Sequence, residues 1–124
     1  MLYALRNPEV RVAVVTPTFG DLRRVAFEGV SGILKTMPKE CLLNGRGQGY
    51  NSSASEIRLY NGSIIMGFSA TEPDRLRGPQ FHRAWCDELA AWRYPEAFDQ
   101  LMFALRLGDK PQCIITTTPK PTPL

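Results

Sequence analysis

Strand-like and helix-like periodicities alternate along this chain, and that alternation limits its fold more than any other feature. Val10-Arg-Val-Ala-Val-Val-Thr16 is short and β-branched, as a buried strand should be, and Pro17 and Gly20 punctuate its end. Leu22, Val25, Ala26, Val30, Ile33, Leu34 and Met37 then recur at spacings of three and four. This predicts one helix, capped by Thr18 or Asp21 and stopped by Pro38, although Gly29 and Gly32 weaken it. Residues 41–55 read as a loop. Glu56–Tyr60 and Ser63–Phe68 flank Asn61-Gly62, the pattern of a hairpin with a type I′ turn. After the polar segment Ser69–Gln80, Phe81–Cys86 forms another strand ending at Asp87-Glu88. Pro95 opens a second helix, whose Phe98, Leu101, Met102 and Leu105 share one face, and Gly108 stops it. Gln112–Thr116 is the last strand.

Strand–helix–strand order implies a mainly parallel sheet with flanking helices and one β-hairpin, an α/β fold. In such sheets ligands bind at the carboxyl ends of the strands. Three ends converge there: Thr16-Pro-Thr18, Asp87-Glu88 and Thr116-Thr117-Thr118. An apolar run that finishes on two carboxylates needs a reason, because unpaired buried charge is costly. On these residues alone two readings stand. The pair marks the strand's exit into solvent, or it works on a cation.

Composition narrows the classes. A chain of 124 residues makes one domain with one core, and 44% hydrophobic with 22% charged residues is not the balance of a disordered segment. A net charge of +3 is too small to demand a nucleic-acid partner. Only four of the fifteen basic residues are lysine, which leans toward arginine's bidentate phosphate chemistry. The three cysteines, Cys41, Cys86 and Cys113, contain no C-x-x-C pair and support neither a zinc knuckle nor a disulfide framework; Cys86 and Cys113 read as small core residues. No apolar run approaches the roughly 18 residues of a membrane span.

Other features have plain readings. Gly45-Arg-Gly-Gln-Gly49 lacks a lysine after glycine and a strand before it, so it reads as a surface loop. His82 has no second ligand spaced with it and reads as structural. Trp85 and Trp92 read as packing residues rather than platforms for bases. Arg75 and Arg77, taken alone, read as solvated loop charges.

An Asp-Glu pair closing a buried strand is the pattern of a Walker B element, in which the Asp orders Mg²⁺ and the Glu polarises the attacking water. Around it, Ser69-Ala-Thr-Glu-Pro-Asp-Arg-Leu-Arg-Gly-Pro-Gln-Phe81, Ala84-Trp-Cys-Asp-Glu-Leu-Ala-Ala-Trp92, Leu101-Met-Phe-Ala-Leu-Arg-Leu-Gly-Asp109 and Thr116-Thr-Thr-Pro-Lys-Pro121 occur in order. Together with Val14–Thr18 and Glu28–Leu34, these stretches resemble the large terminase subunit of tailed bacteriophages, the ATP-driven motor that packages DNA into capsids. The resemblance spans nearly the whole chain and implies part of a RecA-like P-loop ATPase core. It implies Asp87 as the magnesium ligand, Glu88 as the catalytic base, and Thr116, Thr117 and Thr118 as the coupling motif that senses the γ-phosphate. It implies Arg77, or Arg75, as the arginine that a neighbouring subunit uses on transition-state charge. ATP and Mg²⁺ are then the substrate and cofactor of the intact parent. The partners implied are double-stranded DNA, the portal protein, the small terminase subunit and further large-subunit copies in a ring, in the cytoplasm of a bacterial host and without a membrane.

The sequence departs from the family at one essential place. No G-x-x-x-x-G-K-[ST] loop occurs in it, and no lysine follows a glycine. The expectation is a partial ATPase domain over residues 1–124, without the Walker A segment or the C-terminal nuclease domain, and inactive alone. In this class the Walker A strand pairs beside the strand of the coupling motif, so Gln112–Thr116 should form an uncovered apolar edge. Two alternatives remain: a non-enzymatic prophage remnant or interaction module, and a metal-dependent nuclease using Asp87 and Glu88 with Asp74 or Asp99.

Overall fold

A computed structural model of the chain describes residues 2–29, 32–43 and 49–116. Its centre is a six-stranded sheet in the order β2-β3-β4-β1-β5-β6. In chain order β1 is Arg11–Thr16, β2 Tyr50–Asn51, β3 Glu56–Arg58, β4 Ile64–Ser69, β5 Arg83–Asp87 and β6 Gln112–Thr116. The four strands β4, β1, β5 and β6 run parallel, while β2 and β3 are antiparallel additions at one side. Its α-helices include α1 (Leu2–Arg6), α2 (Phe19–Asp21), α3 (Ile33–Thr36) and α4 (Glu96–Ala104).

Strand β1 is the middle of the parallel set, and Val12 to Thr16 are all buried. Alternate residues feed two cores. Val12 and Val14 join Leu22, Phe27, Ile57 and Ile65 on one face. Ala13 and Val15 join Phe68, Phe81, Cys86 and Leu101 on the other, under α4. This two-sided burial is why the parallel strands read as continuous apolar runs.

The long helix expected after β1 is broken. Thr18 does cap its start, accepting from the Asp21 amide at 3.2 Å. The chain then passes from α2 into a π-helical segment, Leu22–Phe27, and restarts only at Ile33. The glycines are responsible. A Cβ on Gly29 would meet the Arg24 carbonyl oxygen at 2.5 Å, and one on Gly32 the Phe27 carbonyl oxygen at 2.6 Å. The backbone turns on itself there at a spacing only glycine permits. The π geometry also shifts the buried face to Leu22, Ala26 and Phe27, leaving Val25 58% exposed. Val30 lies outside the described residues.

The hairpin forms, with Arg58 opposite Ile64 and Ile57 opposite Ile65. Its turn is not type I′, which needs positive φ at both central residues: Gly62 has φ +88°, whereas Asn61 is not in the left-handed region. Asn61 instead works as a clip. Its Nδ2 donates to the Ala4 carbonyl at 2.8 Å, and its Oδ1 accepts from the Ser63 amide at 3.0 Å, which ties α1 to the turn.

Within the segment expected to be loop, Tyr50–Asn51 pairs with β3. Of Gly45–Gly49, only Gly49 is described, so the glycine-rich loop lies almost wholly outside the described residues. Helix α4 ends at Ala104, before Gly108, because the next residues turn back to bond Phe81. The Phe81 amide donates to the Ala104 carbonyl at 2.8 Å, and the Leu107 amide to the Phe81 carbonyl at 3.0 Å. Among the described residues no helix is long and apolar enough to cross a membrane.

Candidate functional site

Parallel pairing sets the carboxyl ends of four strands in one row. Ser69 pairs with Thr16, Val15 with Cys86, and Asp87 with Thr116. The order along the row is therefore Ser69, Thr16, Asp87, Thr116. Hydroxyls flank a single carboxylate at the place where parallel α/β sheets bind ligands.

Asp87 is held at its side chain and at its main chain. The Thr116 hydroxyl donates to its Oδ1 at 3.1 Å, and is fixed in turn by the Trp85 indole N–H at 2.9 Å. The Trp92 indole N–H donates to the Asp87 carbonyl at 2.9 Å. Both tryptophans thus brace the strand ends with their polar tips, consistent with packing roles. Burial raises the Asp87 pKa above the ordinary carboxylate value; the Thr116 hydrogen bond opposes this, and the charges of Glu88 and Asp21 add to it. A carboxylate surrounded by negative charge and partly desolvated gains most from a nearby cation.

Glu88 follows with φ 49° and ψ 51°, a left-handed conformation that L-residues avoid. It is where the chain leaves β5 and enters a 3₁₀ turn, Leu89–Ala91. Strained backbone beside a strand-end carboxylate is a common mark of functional positions. The residue pattern marks Glu88 as a candidate but holds no signal for this conformation.

Thr116 stands at the row; Thr117 and Thr118 lie outside the described residues. Asp21 was expected only as a helix cap, and its charge reaches Asp87 because Thr18 and Asp21 follow directly on the end of β1. His82 is structural, its Nδ1 accepting from the Arg11 amide at 3.0 Å.

The arginines are elsewhere. Arg75 pairs with Glu72 at 2.6 Å, and its guanidinium lies 5.3 Å from the centre of the Phe19 ring. Arg77 is 3.6 Å from Asp74, both side chains are well exposed, and it lines a separate cleft with Gln100, Phe103 and Arg106. Asp74 is thus an exposed carboxylate beside Arg77, and Asp99 is on the exposed side of α4. Among the described residues no three His, Cys, Asp or Glu side chains group as a metal-binding cluster.

The family model described as "Terminase large subunit, T4likevirus-type, N-terminal" matches residues 1–124. This chain belongs to that terminase family. Two solved structures share its fold: the large terminase ATPase domain of Thermus phage P74-26, and an arginine-to-alanine variant of the same domain. The first has a TM-score of 0.58 at 19% identity and covers 95% of this chain and 51% of its own. The second has a TM-score of 0.56 at 19% identity, with coverages of 91% and 49%. The terminase chain here thus spans about half the length of the solved domains it matches. No curated protein matches the sequence significantly. The α/β sheet expected from the alternating periodicities is the fold of a phage terminase ATPase domain.

Proposed function

We propose that this chain supplies the metal-holding and γ-phosphate-sensing part of the ATP-hydrolysing site of a DNA-packaging motor. The observation that carries the proposal is the Trp85–Thr116–Asp87 chain of hydrogen bonds at the carboxyl row. It supports Asp87 as a metal ligand, because the chemistry of the residues fits. Mg²⁺ characteristically takes one or two carboxylates and fills its octahedron with water and phosphate oxygens. Asp87 would hold the ion, and the absence of a larger acidic cluster among the described residues is compatible with a mostly hydrated one. When bound with ATP, the ion neutralises charge on the transferred phosphoryl group.

Glu88 is the base that takes the proton from the attacking water. Its strained backbone, fixed at the end of β5, supports a positioned role. Thr116 reads the γ-phosphate at the end of β6 and, through its bond to Asp87, links that reading to β5; Thr117 and Thr118 extend that motif. Arg77 rather than Arg75 acts on a neighbouring subunit's nucleotide, since Arg77 is the more exposed and more loosely paired of the two. These 124 residues contain no phosphate-cradling glycine–lysine loop, so ATP does not fit them alone. The chain by itself is inactive. The parent works in the host cytoplasm on double-stranded DNA, with portal protein, small terminase subunit and a ring of its own copies.

The first test is to read the coding DNA upstream of Met1. An in-frame G-x-x-x-x-G-K-[ST] after an apolar strand is the expected result. The longer polypeptide should then hydrolyse ATP, and Glu88→Gln should slow it by about 10²-fold or more. Unrelated sequence or a stop upstream, or full hydrolysis by Glu88→Gln, rejects the proposal and leaves the non-enzymatic interaction module.

A further inference from the structure

Cys86 and Cys113 are 27 residues apart in sequence, yet their sulfur atoms lie 3.4 Å from each other. The sheet brings them together. Ala84 pairs with Cys113 and Cys86 with Ile115, so the two cysteines are diagonal neighbours on β5 and β6 and point to the same face. Both are free thiols. The Cys86 main-chain carbonyl lies 3.4 Å from the Thr116 hydroxyl, but the two sulfurs belong to the core beneath α4, and the proposed hydrolysis makes no use of them.

Their surroundings differ in a way that assigns chemistry. Cys86 is fully buried and belongs with Phe81 and Leu101 to the core beneath α4. Cys113 is half-buried on the outermost strand. At 3.4 Å either sulfur can donate to the other, but of the two it is Cys113 that solvent reaches. Oxidation of a thiol needs thiolate and access together, and of the two sulfurs the accessible one is Cys113.

We propose that Cys113 and Cys86 form a peroxide-reactive thiol pair, in which Cys113 is attacked first and Cys86 resolves it into a disulfide. The Cys113 thiolate displaces hydroxide from hydrogen peroxide, which takes up a proton and leaves as water. This step makes Cys113 sulfenic acid. The Cys86 sulfur then bonds to the Cys113 sulfur, losing its proton, and the sulfenic oxygen departs as a second water. Peroxide is the oxidant, and the two thiols supply the two electrons. The sulfurs must close by about 1.4 Å to reach a normal S–S length, a movement within reach of a side-chain rotation on an edge strand. The new bond ties β6 to β5 one residue before Asp87. It is independent of ATP hydrolysis and stands or falls separately from it.

The test is native-state oxidation of the full chain with stoichiometric hydrogen peroxide, alkylation of the remaining thiols, and peptide mass mapping. The expected product is an intramolecular Cys86–Cys113 link with Cys41 alkylated. Cys86→Ala should instead accumulate a dimedone-reactive sulfenic acid at Cys113, while Cys113→Ala should leave Cys86 unmodified. Repeating the reaction in urea above the unfolding midpoint should remove the preference for this pair. Three alkylated cysteines after native treatment would overturn the proposal. So would a link through Cys41, or primary oxidation at Cys86. The wild-type map decides the matter even if either variant fails to fold.

Discussion

The two edges of the sheet are built on opposite principles. At one edge β2 has two residues, and the chain closes it with polar contacts. Tyr50 donates its hydroxyl to Glu28 at 2.6 Å, Glu28 also pairs with Arg23 at 3.0 Å, and the Tyr50 ring packs edge-on to Phe27 at 6.2 Å. Short, charged, side-chain-covered edges resist the addition of another strand. At the other edge β6 has five residues, and its Ile114 and Ile115 are 66% and 47% exposed. They point to opposite faces, so both faces of that edge show apolar surface. Ile114 also borders a concavity of about 530 Å³ with Tyr3, Val12 and Trp85. One edge is finished by the chain's own residues; the other has the sequence of an interior strand. The candidate site lies beside the second.

The largest expected effect tests that asymmetry directly. Ile57, on β3 near the closed edge, is fully buried among Val12, Val14 and Ile65. Ile57→Ala should cost about 2–5 kcal/mol, from lost burial and the cavity left behind. Ile114→Ala, the same chemical change at the open edge, should stay within about 0.5 kcal/mol. Denaturant midpoints for the two variants measure the gap. Similar losses at both positions would mean that β6 is packed as an interior strand by the chain alone.

Association is the next effect. An exposed apolar edge invites pairing with other chains, so the chain should sediment with a concentration-dependent mass. Ile115→Lys places a charge on that edge and should shift the distribution toward monomer with little change in melting temperature. A wild-type chain that stays monomeric over the soluble range would show that the edge is protected.

These contrasts also mark what the sequence could and could not reveal. The parallel strands were legible because residues such as Val12–Val15 are apolar on both faces, and the row of strand ends follows from their parallel register. The edge position of Gln112–Thr116 was expected from the family resemblance and agrees with the sheet order. The helix between β1 and β2 was misread because a spacing of three and four cannot separate α from π geometry, and because the tight contacts at Gly29 and Gly32 are tertiary. Strand β2 was missed because two residues carry no period. Asp87 and Thr116 were legible as strand ends; their mutual hydrogen bond depends on register, which only the folded sheet supplies. The strained φ of Glu88 left no trace in the residue pattern.

A smaller effect concerns pH at the closed edge. Burial, followed by the bond to Glu28, raises the Tyr50 pKa from 10.0 to about 12. Tyr50 therefore holds its proton more tightly folded than unfolded. Its contribution to stability is complete below pH 10 and is lost as pH rises from 10 to 12. Tyr50→Phe should flatten the stability profile across that window. An unchanged slope would mean that the Tyr50–Glu28 contact does not couple to folding, and that the closed edge depends on apolar packing alone.

The smallest expected effect lies at the open edge and carries the opposite message about design. The Asp87 pKa is raised, chiefly by burial. A carboxyl group with a folded pKa above its unfolded value contributes stability that is complete below the unfolded value and lost as pH rises through the folded one. At neutral pH that contribution is gone, and Asp87 is a charge the fold tolerates without benefit. Asp87→Asn keeps the shape and removes the charge. The variant should melt at the same temperature as wild type or slightly above it at pH 7, and lose that advantage as the pH falls through the carboxylate range to about 3. Paired thermal melts at the two pH values decide the question. A clear drop in stability at pH 7 would make Asp87 a structural anchor for Thr116 and Trp85. A neutral or positive shift leaves its charge to be explained by what it binds.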